Sequence, residues 1–403
     1  MALTDFKPQF DNAYQEVFQK TLVAKMIMNT RFEPVLSYGA SVQRVAYDIS
    51  AVLVRTVTRG SASTIDAVTD SNETLTINLE KEAVFHISDG EVTQAGPLNP
   101  GEEIGKQVGI KVSIDLDGRC FAEVLNALYT FDNGDLTGMA ATGTPITLSS
   151  TTVPQMVSRL GAKLRYKNQI EISTNMALVV DSYAASDITQ YLLGKNIDLA
   201  GAVFKNGYTG DVSNAQMYIS ENLTGSAVLS IATTPTDGDT VTIGGVVFTF
   251  KTTLGSTAGN VAIGGSADAA RLNLTELINA PGTTDAGQVA LTAANQIIIS
   301  NVLGLVAVDS ASANTMTLTG TGSGRLIVSE TLTDATDAWT KNYINCYFGK
   351  KGAIDLVVQD LKPVDMRITP DRRGTNVFSS YLAGIKTFAD GAKKFLNVLI
   401  LVS

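Results

Sequence analysis

Apolar and polar positions along this chain change their period several times, and each change marks an element. Residues 1–38 read as an arm carrying a helix, in which Phe10, Tyr14, Val17, Phe18, Thr21 and Leu22 recur at helical spacing and Asp11 or Asn12 is placed to cap it. The arm ends near Phe32-Glu33-Pro34, where the residue before proline is turned away from helix. Residues 41–59 are strand-like, a Gly-Ser-Ala-Ser turn starts at Gly60, and a second strand runs from Glu73 to Ser88 with alternation at Leu75, Ile77 and Leu79. The two predict a long hairpin with unusual reach. A hairpin cannot bury a face alone, so this one requires a surface beneath it, its own or a neighbour's.

From 101 to 130 the spacing of Ile104, Val108, Val112, Leu116, Phe121, Val124, Leu125 and Leu128 predicts a long helix, weakened by Gly105, Gly109 and Gly118. A second helix is expected over Val153–Lys167, with Thr151 or Thr152 as cap and Pro154 in its first turn. Met176–Val180 reads as a short buried strand and Ala184–Gly194 as a short helix, with a turn at Asn206-Gly207. Charges thin out from Gly225 to Thr336, where Thr, Gly, Ala and Val dominate. This stretch predicts a hairpin of Asp239–Ile243 and Val246–Phe250 about Gly244-Gly245, then a helix over Ala267–Asn279 stopped by Pro281-Gly282. Strands are expected at Gln296–Ser300, Leu305–Val308, Asn314–Leu318 and Leu326–Val328. The contrast with its flanks reads as a small α+β module inserted at a loop tip. Strands at Trp339–Phe348 and through the Ala353–Asp360 run follow. After a charged turn at Arg372-Arg373, the Tyr381–Ile400 stretch closes the sheet, with Phe388, Phe395 and Leu399 as core.

Composition narrows the chemistry. Apolar residues are 44% and charged residues 17% of 403, with a net charge of -9, which argues against a general nucleic-acid binder without excluding a local basic face. Cys120 and Cys346 lie among apolar neighbours without metal spacing and read as buried thiols. The single histidine, His86, cannot build a multi-histidine metal site. No phosphate loop or GxSxG occurs, and Gly259–Ala270 lacks the order of a dinucleotide site. Asp115/Asp117 and Asp237/Asp239 read as turn acids rather than calcium loops, and Glu102-Glu103 suits a helix start. No enzyme activity, metal or cofactor is expected. No run of about 18 apolar residues predicts a membrane span. The N-terminus lacks a signal-peptide pattern, which predicts synthesis in the cytoplasm.

The order of these patterns resembles the major capsid proteins of tailed bacteriophages, which share the HK97-type capsid fold, an α+β architecture. On that resemblance, residues 1–40 correspond to the N-terminal arm and 41–100 to the extended hairpin loop and the return to the peripheral domain. Residues 101–174 correspond to the peripheral domain with its spine helix, and 175–224 and 337–370 to the two parts of the axial domain. Residues 225–336 correspond to an inserted surface domain, which either decorates the outer face or braces the subunit, and 371–403 to the closing strands.

The resemblance implies a structural subunit that assembles as homo-pentamers and homo-hexamers into an icosahedral head shell around packaged double-stranded DNA, touched non-specifically. It implies a virion capsid location, synthesis in the host bacterial cytoplasm, a portal protein, a separate scaffolding protein and a possible decoration or cementing protein. Phe10, Tyr14, Phe18, Arg55, Arg59, Arg372 and Arg373 are the expected intersubunit contacts. Lys7, Lys20, Lys25 and Arg31 are candidates to face nucleic acid, an ordinary solvated helix face being the alternative. No lysine lies between Gln43 and Glu80, so the covalent crosslinking of some family members through this loop is not expected; Lys81 sits at the hairpin base. A tail tube, fibre or surface adhesin is the alternative reading.

Overall fold

The computed structural model describes residues 3–33, 41–48, 52, 54–56, 59, 65–66, 68–88, 100–137, 143–168, 175–193, 211–212, 215–368 and 374–402. The α+β chain divides into two compact units, one of residues 1–20, 27–110 and 352–393 and one of residues 21–26, 111–351 and 394–403.

In chain order, helix α1 (Leu3–Thr21) is followed by strands β1 (Ser41–Asp48), β2 (Thr69–Thr76) and β3 (Leu79–Ile87), and then by the long helix α2 (Pro100–Ala122). Strand β4 (Tyr129–Phe131), helix α3 (Thr152–Asn168), strand β5 (Met176–Val180) and helix α4 (Ser182–Leu193) come next. Strands β6 (Asp211–Val212), β7 (Ala215–Ile219), β8 (Thr224–Ser230), β9 (Thr240–Ile243), β10 (Val246–Lys251) and β11 (Asn260–Ala262) lead to helix α5 (Ala267–Asn279). The rest is strand: β12 (Leu305–Ser310), β13 (Thr315–Gly320), β14 (Val328–Glu330), β15 (Ala338–Lys350), β16 (Asp355–Ile368), β17 (Thr375–Lys386) and β18 (Phe395–Leu401).

In the first unit, α1 already begins at Leu3, so Asp11 and Asn12 lie inside the helix and do not cap it; its apolar stripe buries Phe10, Ala13 and Tyr14. The glycines of α2 explain how. A Cβ on Gly105 would lie 2.7 Å from the Phe10 carbonyl oxygen, and one on Gly109 would lie 3.0 Å from that of Tyr14. These residues weaken the helix locally but let the two backbones meet, four positions apart on one face. Phe10 also meets the Phe85 ring of β3 at 6.1 Å. Burial pushes the Tyr14 phenol up to about 12, with Ser379 of β17 beside it.

The expected hairpin is present, with a second arm that differs from the one expected. Its paired arms are β1 and β2, in antiparallel register from Ser41 opposite Thr76 to Asp48 opposite Thr69. The expected second arm, Glu73 to Ser88, breaks at Ile77-Asn78. Beyond the break, β3 joins a separate three-stranded sheet of order β16-β17-β3. Alternation runs straight through the break, so the pattern of Leu75, Ile77 and Leu79 does not reveal it. The Gly60 turn and the Asn206-Gly207 turn lie outside the described residues.

The second unit is built on a large sheet of order β12-β13-β8-β15-β5-β7-β6, with β18 also paired to β15 and β4 to β18. Strand β5 is buried at every position, as its unbroken apolar run predicts. Of the expected closing stretch only Phe395–Leu401 joins this sheet, from Tyr343 opposite Leu401 to Gly349 opposite Phe395, while Tyr381–Lys386 is part of β17 in the first unit. Phe395 is fully buried there and Leu399 nearly so, while Phe388 is fully buried in the first unit. Cys120 and Cys346 are buried free thiols.

Residues 225–336 have their own core, centred on Phe248, Phe250, Leu274, Leu277 and Leu318. A four-stranded sheet of order β11-β10-β9-β14 lies within it. The β9–β10 turn uses Gly244 and Gly245 at φ 58° and 83°, the left-handed pair a two-residue hairpin turn requires. Helix α5 starts at a Ser266 cap and ends at Asn279, as expected. Two expectations fail. The module does not hang from a loop tip: β8 lies along β15 from Thr224 opposite Asn345 to Ser230 opposite Ala338, so the large sheet runs through it. The Gln296–Ser300 stretch is helical, formed by the Ala293–Ile297 helix and a wider turn over Ile298–Val302. A short isoleucine run has no period that separates a buried strand from a helix.

Candidate functional site: the hairpin, its anchor and its tip

The base of the hairpin is fixed by a small core. Leu75, Ile77, Val357 and Phe388 are buried together, with Phe32, Val42 and Leu382 packed against them. Strand β2 comes down over Gly384, where a Cβ would lie 2.8 Å from the Thr76 carbonyl oxygen and 2.9 Å from Leu75. Polar contacts surround this core. Arg44 and Glu73 are cross-strand partners, and both grip the 388–390 corner. The Arg44 guanidinium donates to Asp390 at 2.6 Å and lies 5.4 Å from the Phe388 ring centre. Both Glu73 carboxylate oxygens accept from the Ala389 backbone N–H at 3.1 Å, at the start of a one-turn helix where negative charge is favoured. The cross-strand pair therefore works on a third segment rather than on itself.

The far end of the hairpin is different. Val45, Val52 and Val68 are about half exposed, while Val54 and Ile65 are exposed at 105% and 93%. Burying one such side chain is worth roughly 1.5–3 kcal/mol, so this end carries apolar area that its own chain leaves in water. The tip still has an internal brace. Arg55 donates two hydrogen bonds of 2.7 Å to the two carboxylate oxygens of Asp66, eleven residues away. Val54 and Ile65 are the residues directly before that pair.

These positions correct several expectations. Phe10 and Tyr14 are not surface contacts, because α2, β3 and β17 of the same unit already bury them. Arg55 is exposed and is paired within its own chain, where Asp66 takes its guanidinium in a bidentate pair. Arg59 is exposed. Phe18 lies in α1, but its side chain falls outside the described residues, as do Arg372 and Arg373 entirely. Of the basic candidates, Lys7 and Lys25 are exposed, and Lys7 acts on Asp11 one turn away. Arg31 is exposed and sits 5.3 Å from the Phe32 ring centre. The Lys20 side chain falls outside the described residues. The apolar tip went unnoticed in the sequence, although Val52, Val54, Ile65 and Val68 stand there as β-branched residues in a polar, Ser/Thr-rich stretch.

The acidic pairs have local roles. Asp117 accepts from the backbone N–H of Ala24 at 2.9 Å and of Val23 at 3.1 Å; burial pushes its carboxyl up to about 6 against the lowering effect of those bonds. Asp115 pairs with Arg119 one turn on. Asp237 accepts from the Thr252 backbone N–H at 2.7 Å, and Asp239 from Thr236 at 2.8 Å. His86 meets Asn376 at 2.8 Å across β3 and β17. Among the described residues no group of three or more His, Cys, Asp or Glu side chains could hold a metal ion. Among them, no helix is long and apolar enough to cross a membrane.

No family model matches the chain, and no curated protein matches it. Among solved structures it is similar to a chain of Mycobacterium phage Che8 at 13% identity and a TM-score of 0.48, over 94% of this chain and 90% of that one. The mature capsid of bacteriophage PhiM1 is similar at 11% identity and a TM-score of 0.45, over 90% and 82%. The capsid of an empty GTA particle is similar at 10% identity and a TM-score of 0.44, over 95% and 90%.

Proposed function

We propose that this chain is a shell-forming structural subunit whose hairpin reaches onto a neighbouring copy of itself. More particularly, we read it as a major capsid protein of a tailed bacteriophage, building an icosahedral head as pentamers and hexamers around packaged double-stranded DNA. The observation that carries the reading is the two-ended hairpin: a base locked by Leu75, Ile77, Arg44 and Glu73, and a tip whose Val54 and Ile65 are fully exposed. A lone soluble subunit gains nothing from holding apolar side chains out on a braced, anchored arm. A shell gains a repeated contact that buries them on every copy. The element order (arm helix, extended hairpin, long helix, sheet with an inserted module) agrees with the resemblance seen in the sequence. Within this reading, Arg59 contacts the neighbour beside the apolar tip, and Lys7, Lys25 and Arg31 face the packaged DNA weakly. A portal, a separate scaffold and a decoration protein complete the particle.

The test is electron microscopy of the expressed full chain, with and without a co-expressed scaffolding protein, beside the variant Val54→Asp/Ile65→Asp. Closed shells are expected from the wild type. The variant is expected to melt like the wild-type subunit and to form none. Tubes or discrete trimers from the wild type, or unimpaired shells from the variant, would contradict the proposal.

A further inference from the structure

Strand β12 lies at one end of the large sheet. Its inner residues Leu305 and Ala307 are buried, while Val306 and Val308 stand exposed on the opposite face, at 54% and 61%. An antiparallel strand turns the main-chain groups of alternate residues away from its partner, so Leu305, Ala307 and Asp309 present theirs to the open edge. At Ala307 that edge is occupied. The Asn279 side-chain amide donates to the Ala307 carbonyl oxygen at 2.9 Å and accepts from the Ala307 N–H at 2.9 Å. Asn279 is the last residue of α5, and its amide makes the pair of bonds that one residue of an added strand would make. Exposed edges are usually protected by a lysine, a proline or a bulge. Strand β12 reads Leu-Val-Ala-Val-Asp-Ser and has none of these, and its one charge, Asp309, is bound to the buried Arg271.

We infer that Asn279 is a blocking residue that holds the β12 edge shut against pairing with a second copy of this chain. A second copy is the occupant that fits because the strand is self-complementary. Antiparallel pairing centred on Ala307 sets Val306 of one copy opposite Val308 of the other, twice, and makes one apolar stripe of four valines. The same pairing places Asp309 opposite Leu305, so no like charges meet. Such a contact is a closed two-fold pair that joins two sheets into one. A subunit that assembles through other surfaces has reason to keep it closed. The inference does not depend on the proposed function, since it concerns an edge remote in sequence from the hairpin.

The test compares the full-length chain, Asn279→Ala and Asn279→Ala/Val308→Lys, all three carrying Val54→Asp/Ile65→Asp so that shell assembly does not mask the reading, by sedimentation velocity at matched concentration, with thermal melts to check folding. Asn279→Ala is expected to gain a species of twice the mass of the chain that keeps Asn279, and this species grows with concentration. The added lysine on the exposed face is expected to abolish that species without changing the melt. Should the alanine variant fail to fold, Asn279→Gln, which keeps an amide but not its reach, is read in the same way. An Asn279→Ala chain that sediments like the chain that keeps Asn279 overturns the inference, as does aggregation that Val308→Lys leaves unchanged.

Discussion

Truncating Leu75 to alanine asks whether the hairpin is held by apolar packing or by its visible charges. Leu75 is fully buried in a core whose other members are Ile77, Val357 and Phe388. Leucine-to-alanine changes in well-packed cores cost about 2–5 kcal/mol. This core is small, and its flanking Phe32, Val42 and Leu382 are only partly buried, so it can collapse into some of the lost volume. We therefore expect the lower part of the range, about 2–3 kcal/mol. The loss falls on docking of the hairpin base, and at 1.4 kcal/mol per tenfold it raises the undocked population roughly 30- to 140-fold. Arg44→Ala removes a half-exposed ion pair and a cation–π contact, worth about 1 kcal/mol together, or only a few-fold. Hydrogen exchange followed by mass spectrometry reads both variants on peptides covering β1 and β2, with β18 of the other unit as internal reference. Leu75→Ala should strip protection from β1 and β2 and spare β18, with Arg44→Ala far behind. An equal loss in β18 would mean global unfolding, and an Arg44 effect matching that of Leu75 would refute the packing account.

Two further outcomes follow from local geometry. Gly105→Ala sets about 1 kcal/mol of gained helix propensity against about 1–3 kcal/mol of overpacking, because the new Cβ meets the backbone of α1 at 2.7 Å. A net loss of about 1 kcal/mol in urea unfolding is expected, and a stabilised variant would show that α1 is not seated there. Asp117 is held at about 6, above the ordinary value of 3.8, so the folded chain takes up its proton more readily than the unfolded one. The group therefore costs stability above pH 6, and that cost disappears as pH falls through 6 toward 3.8; the full span is worth about 3 kcal/mol. Relative to Asp117→Asn, the wild type should gain stability on acidification across that window, and parallel pH profiles for the two proteins would rule this out.

Elements whose cause is local were legible in the residues. The α5 helix carries its own cap and α3 its own periodicity, β5 is an unbroken apolar run, and the Gly244-Gly245 turn needs only two residues that tolerate positive φ. The apolar stripe of α1 was legible as a stripe that needs a partner, but not whose partner. Nothing in Phe10 and Tyr14 says that two glycines about a hundred residues away make room for them inside the same unit. Exposure at the hairpin tip was not legible for the same reason. Arginines draw notice in a sequence, but Arg55 is committed to Asp66, and valines that look like ordinary strand residues are the ones left in water.

The amino-acid order alone decided the repertoire: an amphipathic arm helix, a long glycine-bearing helix, a hairpin, a Thr/Gly-rich module and a closing apolar strand. Propensity and period act over a few residues, and so does the information that specifies them. Long-range pairing decided the rest. It split one alternating run into β2 and β3, because alternation continues unbroken while the partner strand changes. It carried the large sheet through the module along β8 and β15, a contact of residues more than a hundred apart. And it separated a hairpin base that is buried from a tip that is not, since burial depends on which surfaces the fold brings together and not on how apolar a residue is.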